Sequence, residues 1–210
     1  MKKWKRKFKI FWNFAQEEAW LAAMAAEGHH LKSYSILGMY TFAEGAPRQS
    51  QYKIDYKIFW SEADFNSYQA LFEDAGWQHV WGTSTSGNQY FLPKTPQAGT
   101  EIFSDAASAN QRYRSLFRCS VATVAATLLY TIALLFANDF DLSGPIFLTP
   151  GLWEKTGAAF WRAFFFELPF AAMRVGIWVA LLVIGIAYTY WAVKAKQEYD
   201  RHAKEQELEQ

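Results

Sequence analysis

Two hydrophobic patterns divide the chain. Up to about Gln111 apolar and polar residues alternate at short period, and beyond it two stretches carry no charge at all. The opening "KFKIFWNF" alternates Phe8, Ile10 and Trp12 with Lys7, Lys9 and Phe11. That period of two predicts a strand with Phe8, Ile10 and Trp12 on the core face. "AQEEAWLAAMAAEG" follows, rich in helix formers, acidic at its start and closed by Gly28; it predicts a helix burying Trp20, Leu21 and Met24. "HHLKSYSILGMYTFAEG" then reads as extended segments.

A second round has the same grammar. "QYKIDYKIFW" alternates again, with Tyr52, Ile54, Tyr56 and Ile58 on one face. Ser61 and Asp64 have capping-box-like spacing ahead of the helix "EADFNSYQALFEDAG", and "WQHVWGTSTSGNQYFLPK" gives a strand, a polar turn and a closing strand. Gly28 and Gly76 stand 48 positions apart, with Trp20 over Tyr68 and Met24 over Phe72 in the same alignment. The stretch from Ala25 to Ser33 and the one from Glu73 to Trp81 are thus one helix-to-strand junction used twice. Each glycine is expected at positive φ. A strand-helix-strand unit used twice predicts an α+β fold, a ferredoxin-like βαββαβ sandwich with room for extra hairpin strands.

The uncharged stretches run from Cys119 to Ala137 and from Val175 to Val193. Each matches the length a helix needs to cross roughly 30 Å of hydrocarbon, predicting a two-helix transmembrane hairpin. Arg112, Arg114 and Arg118 precede the first, and Lys194, Lys196 and Arg201 follow the second. This bias favours a multi-pass protein of the cell membrane with both termini cytoplasmic. Ala122 with Ala126, or Thr123 with Thr127, would let the spans approach closely. Between them, the piece from Ala158 to Leu168 is too short to span and too apolar for open water, which predicts an interfacial helix with Phe160, Trp161, Phe164, Phe165 and Leu168 toward lipid. The expected organisation is a domain over 1–100, a linker helix over 101–118, spans over 119–137 and 175–193, an extracytoplasmic aromatic loop over 138–174, and a charged tail over 194–210.

Charge and chemistry narrow the function classes. A formal net charge of +1 argues against a nucleic-acid binder. The local exception is "MKKWKRKFK", a basic run attractable to an anionic membrane or equally a solvated strand edge. Cys119 is the single cysteine, so no internal disulfide is expected, and no Cys/His spacing resembles a zinc site. His29, His30 and His79 are the residues most suited to acid-base or metal work, with His30 and His79 brought close if the repeat sets their strands side by side, but no third ligand is evident. Glu17 with Glu18, and Glu73 with Asp74, read as solvated faces near helix ends. Nucleotide-loop, hydrolase-elbow and HExxH signatures are absent, and no cofactor is implied. The strand face carrying Lys7, Lys9, Lys53 and Lys57 is basic yet poor in aromatics, which disfavours RNA binding.

"AWLAAMAAEGHHL", "MYTFAEGAPRQSQYKIDYKIF", "ALFEDAGWQHV" and "EIFSDAASANQRY" together resemble a bacterial family catalogued as domain of unknown function 2812 (DUF2812), over roughly Lys5 to Arg114. His29 stands where that family is expected to carry an aromatic residue. The resemblance implies membrane spans after the domain, and it brings no assigned activity and no catalytic residues.

The expected function is a non-enzymatic membrane protein whose cytoplasmic domain binds a protein partner or small effector as a sensor or adaptor. The alternative is an enzyme or accessory subunit handling a lipid or exported peptide at the outer loop. Candidate binding residues are Trp20, Tyr56 and Trp77 between helices and sheet, the basic Lys7, Lys53 and Lys57, and Trp161 in the loop. Membrane lipids are expected partners, and the spans allow a homodimer.

Overall fold

The computed structural model describes residues 4–35, 38–94, 102–103, 106–137 and 146–208. Lys2, Lys3 and Pro145 lie outside them. The chain divides into two compact units, one of residues 1–118 with 191–210 and one of residues 119–190.

In the first unit the duplicated pattern becomes a duplicated structure. Strands β1 (Trp4–Phe8), β2 (His29–Ser35) and β3 (Met39–Glu44) form an antiparallel sheet in the order β1-β3-β2, with helix α1 (Phe14–Ala26) between β1 and β2 in the chain. Strands β4 (Lys53–Tyr56), β5 (Trp77–Trp81) and β6 (Asn88–Pro93) form a second sheet in the order β4-β6-β5, with α2 (Glu62–Asp74) between β4 and β5. The two helices have 13 residues each. Asn13 and Ser61 cap them at equivalent positions, by side-chain oxygens that accept from Gln16 N and Ala63 N. Gly28 and Gly76 follow at φ 84° and 85°, a conformation that favours glycine, and free each chain to turn back as a strand. Even the irregularity repeats, since β2 slips register between Leu31 and Ser33 and β5 between His79 and Trp81.

The topology therefore differs from the single βαββαβ sheet expected. Each repeat is a βαββ unit that closes its own three-stranded sheet, because the hairpin after the returning strand inserts β3 beside β1, and β6 beside β4. Helix α1 lies between the two sheets. Lys7 Nζ of β1 reaches Met24 Sδ at 3.1 Å on one side, and Ile54 N of β4 donates to Glu18 on the other. Leu21, Phe42, Ile54 and Tyr90 form the main core there. Helix α2 covers the far face of the second sheet through Phe65, Tyr68, Trp77 and Phe91.

The faces of β1 are the reverse of those expected. Phe8, Ile10 and Trp12 are 64%, 47% and 40% exposed, whereas Lys7 points toward α1 and Phe11 packs against the core. The strand ends at Phe8, so the alternation does not carry through Trp12.

Helix α3 runs from Ala106 to Ala137 and α4 from Gly157 to Leu208. The expected linker helix and first span are one helix. Likewise the expected interfacial piece, second span and tail all belong to α4, which continues through Pro169. Two residues before that proline, the Glu167 carboxylate accepts from Leu148 N, Thr149 Oγ1 and Arg174 Nη1, tying the preceding segment to the helix. Both helices are long and apolar enough to cross a membrane, and 6% of the most apolar window of each is buried in the protein, unlike a core helix. Of the two small-residue pairs in α3, Thr123 and Thr127 are half-buried and Ala122 and Ala126 exposed.

Candidate functional site

The acidic pair at the start of α1 is the most unusual group in the first unit. The helix dipole alone would explain acids in a first turn, but Glu17 is 3% and Glu18 9% exposed. The expectation of solvated faces thus fails for this pair, while Glu73 and Asp74 are exposed as expected.

Glu17 joins the repeats. Tyr40 Oη of β3 donates to its Oε1 at 2.8 Å, and Tyr90 Oη of β6 donates to the same oxygen at 2.6 Å. Burial is the main force on the carboxyl and, with the adjacent Glu18 charge, pushes its pKa up to about 7 against the pull of the two tyrosine bonds. Burial and the Glu17 charge push the hydroxyls of Tyr40 and Tyr90 upward, so both remain proton donors.

Glu18 joins the repeats to α3. Its Oε1 accepts from Ile54 N at 3.0 Å and from Arg112 Nη1 at 2.8 Å, and Lys53 Nζ lies 3.7 Å from Oε2. Arg112 Nη1 also donates to Ile54 O at 2.8 Å. The ion pair thereby occupies both backbone groups of Ile54 on the edge strand β4, where a further strand would otherwise pair. Around it, Tyr113 packs at a tilt against Phe14 at 5.0 Å and stacks on His202 of α4 at 5.4 Å, and Asn110 Nδ2 donates to Tyr199 O.

At the other end of α1 a cleft of about 520 Å³ opens between Ala22 and Ala26, the segment Arg48 to Gln51, and Gln78 and Leu92 of the second sheet. Its polar groups are one guanidinium, one hydroxyl and several carboxamides, suited to a small polar or anionic ligand. The cleft and the carboxylates thus share one helix.

The expected site residues are distributed differently. Trp20 stands against Tyr40 and Phe42 with Lys9 over its ring, and Tyr56 packs on the same cluster. Trp77 belongs to the cluster under α2, so the three do not line one pocket. Lys7 is spent on Met24, Lys53 faces Glu18, and Lys57 lies over Phe59 and Tyr68. Trp161 is 54% exposed and stacks on Phe165 in the second unit.

The histidines have separate partners. His79 bridges Gln69 and Gln89, and Gln89 Nε2 donates onward to Thr83 O at 2.7 Å. This last bond makes Gln89 Oε1 an acceptor and puts the proton of His79 on Nε2. Burial lowers the His79 pKa. His30 bonds Ala46 O, and His29 Nε2 meets Lys5 Nζ. Among the described residues no cluster of three or more His, Cys, Asp or Glu could hold a metal ion.

The fold and this site define a class, a doubled βαββ domain followed by two helices apolar enough to cross a membrane. The family model described as a protein of unknown function, DUF2812, matches residues 13–125, more than half of the chain, and the chain belongs to that family. The match runs from the cap of α1 into α3 and so takes in Glu17, Glu18 and Arg112. No curated protein and no solved structure matches the chain.

Proposed function

We propose that the chain is a non-enzymatic sensor or adaptor of the cell membrane, both termini cytoplasmic, whose doubled domain takes a small effector or a segment of a protein partner into the cleft beside α1. The observation that carries this reading is the shared helix. Ala22 and Ala26 line the cleft, and one to two turns back Glu18 holds Arg112 of α3, the helix that continues into the first apolar stretch. A ligand that shifts α1 biases the Glu18–Arg112 pair and so acts on α3, the kind of two-state element such coupling requires. Glu17, though poised near neutral pH, is too buried to meet a substrate, so its carboxyl favours a switch over general acid-base work.

The test places a photo-crosslinking residue at Gln49 or Gln78 of the full chain in cells and identifies adducts by mass spectrometry. One recurrent adduct at both positions, lost with Arg48→Glu, is the expected result. Adducts confined to lipids or exported peptides at a probe replacing Trp161 would move the function to the aromatic cluster of Phe147, Trp153, Phe160 and Phe164, the feature that favours the alternative reading.

A further inference from the structure

The two repeats are not covered equally. In the second, the sheet is buried on both faces, by α2 and by α1, and Tyr52, Ile54 and Tyr90 are at most 2% exposed on the α1 side. The equivalent positions of the first repeat are Trp4, Arg6 and Thr41, on the face turned away from α1. No element of the described residues packs there, and Trp4, Phe8 and Met39 are 48%, 64% and 38% exposed.

This face has a definite chemistry. Arg6 stands between Trp4 and Phe8, Lys32 Nζ lies 4.3 Å over the Trp4 ring, and neither β1 nor the segment to Trp12 contains an acidic residue. Large aromatics alternating with cations suit the headgroup layer of a bilayer, where the ring sits at the apolar boundary and the cation meets phosphate. Its position along the chain agrees. The exposed series Phe8, Ile10 and Trp12 ends two residues before Phe14, whose ring packs on Tyr113, and six residues further along α3 Cys119 opens the apolar stretch. Six helical residues span about 9 Å. The aromatic ridge thus ends two residues from a contact with α3 inside the first unit.

We infer that the segment Trp4–Trp12, with the open face of the first sheet, is a membrane-surface contact that takes anionic phospholipid headgroups. The inference rests on the membrane half of the proposed function and is independent of what the cleft binds. Aromatic side chains supply a depth at which the domain is held, and Arg6, with Lys32 over the Trp4 ring, supplies selectivity for anionic lipid that salt weakens.

The experiment uses the full chain with Cys119→Ser, carrying an environment-sensitive fluorophore on Phe8→Cys or, as a control, on Leu71→Cys of α2, where Leu71 is 67% exposed. Each protein is reconstituted in vesicles of phosphatidylcholine alone or mixed with phosphatidylglycerol. In the anionic vesicles the Phe8 label is expected to lose several-fold in quenching by aqueous iodide and to gain quenching by a shallow spin-labelled lipid. High salt, and Arg6→Glu with Lys32→Glu in a variant of unchanged melting temperature, are expected to reverse both. A Phe8 label that iodide reaches equally in both vesicle types overturns the inference and leaves the face to a protein partner. A shift shared by the Leu71 label, or one the charge reversal leaves intact, also overturns it. Failure of the chain to enter either bilayer would instead overturn the membrane reading itself.

Discussion

Glu17 holds its proton more tightly in the folded protein than in the unfolded chain, because burial lifts its pKa from 4.5 to about 7. Its contribution to stability is therefore fully present below about pH 4.5 and is lost as pH rises through about 7. Glu17→Gln keeps an acceptor for Tyr40 and Tyr90 without the charge. Thermal melts should leave the variant close to the parent near about pH 5 and more stable near about pH 8, by an amount on the order of 3 kcal/mol. His79 works in the opposite sense. Burial lowers its pKa below 6.5, so the folded state binds fewer protons and stability is lost as pH falls below that value. His79→Gln should remove that acid-side loss and leave the Glu17 dependence intact. The acids and histidines themselves were visible in the sequence. Their burial was not, since Glu17 meets Tyr90 and Glu18 meets Arg112 across 73 and 94 residues of chain, and no local pattern carries such distant partners.

Elements were legible where their signals are local. The two helices, the Ser61 cap and the terminating glycines rest on signals within a turn or two and stand where the pattern put them, whereas the Asn13 cap of α1 was not among the expected features. The faces of β1 and the sheet order depend instead on which strand lies next to which. In β1 the alternation runs opposite to the expected one, because an exposed aromatic face and a lysine lying along a helix have the pattern of a core face and a solvated one. Gly28→Ala places a methyl 2.6 Å from Gly45 O at φ 84°, so destabilisation of at least about 1–2 kcal/mol is expected by thermal melting. Arg112→Ala leaves the buried Glu18 with Ile54 N and the more distant Lys53, at 3.7 Å, and takes the Arg112 donor from Ile54 O, for an expected loss of about 3 kcal/mol. Arg112→Ala with Glu18→Gln should recover part of it, and the double-mutant cycle on melting data measures how much.

At the scale of the whole molecule, α4 is the main departure from the expected plan. Its 52 residues extend over about 78 Å, more than twice the roughly 30 Å of a bilayer core. Residues 191–208 belong to the same compact unit as the doubled domain, so the charged tail is part of that domain and not an appendage. If both termini are cytoplasmic, cysteines placed at Lys5 and Lys204 should resist a membrane-impermeant thiol reagent in intact cells, and one at Trp153 should react. Labelling of the terminal cysteines would reverse the orientation.

The shared use of α1 also sets a timetable for synthesis. The first repeat leaves the ribosome with Tyr40 to donate to Glu17 and with both carboxylates short of their partners from later in the chain. Glu17 waits for Tyr90, and Glu18 for Ile54 and then Arg112. The two repeats are alike, yet neither can be finished alone. Arg112 emerges only seven residues ahead of Cys119, so the domain seals its acidic helix just as the first apolar stretch comes due for the membrane.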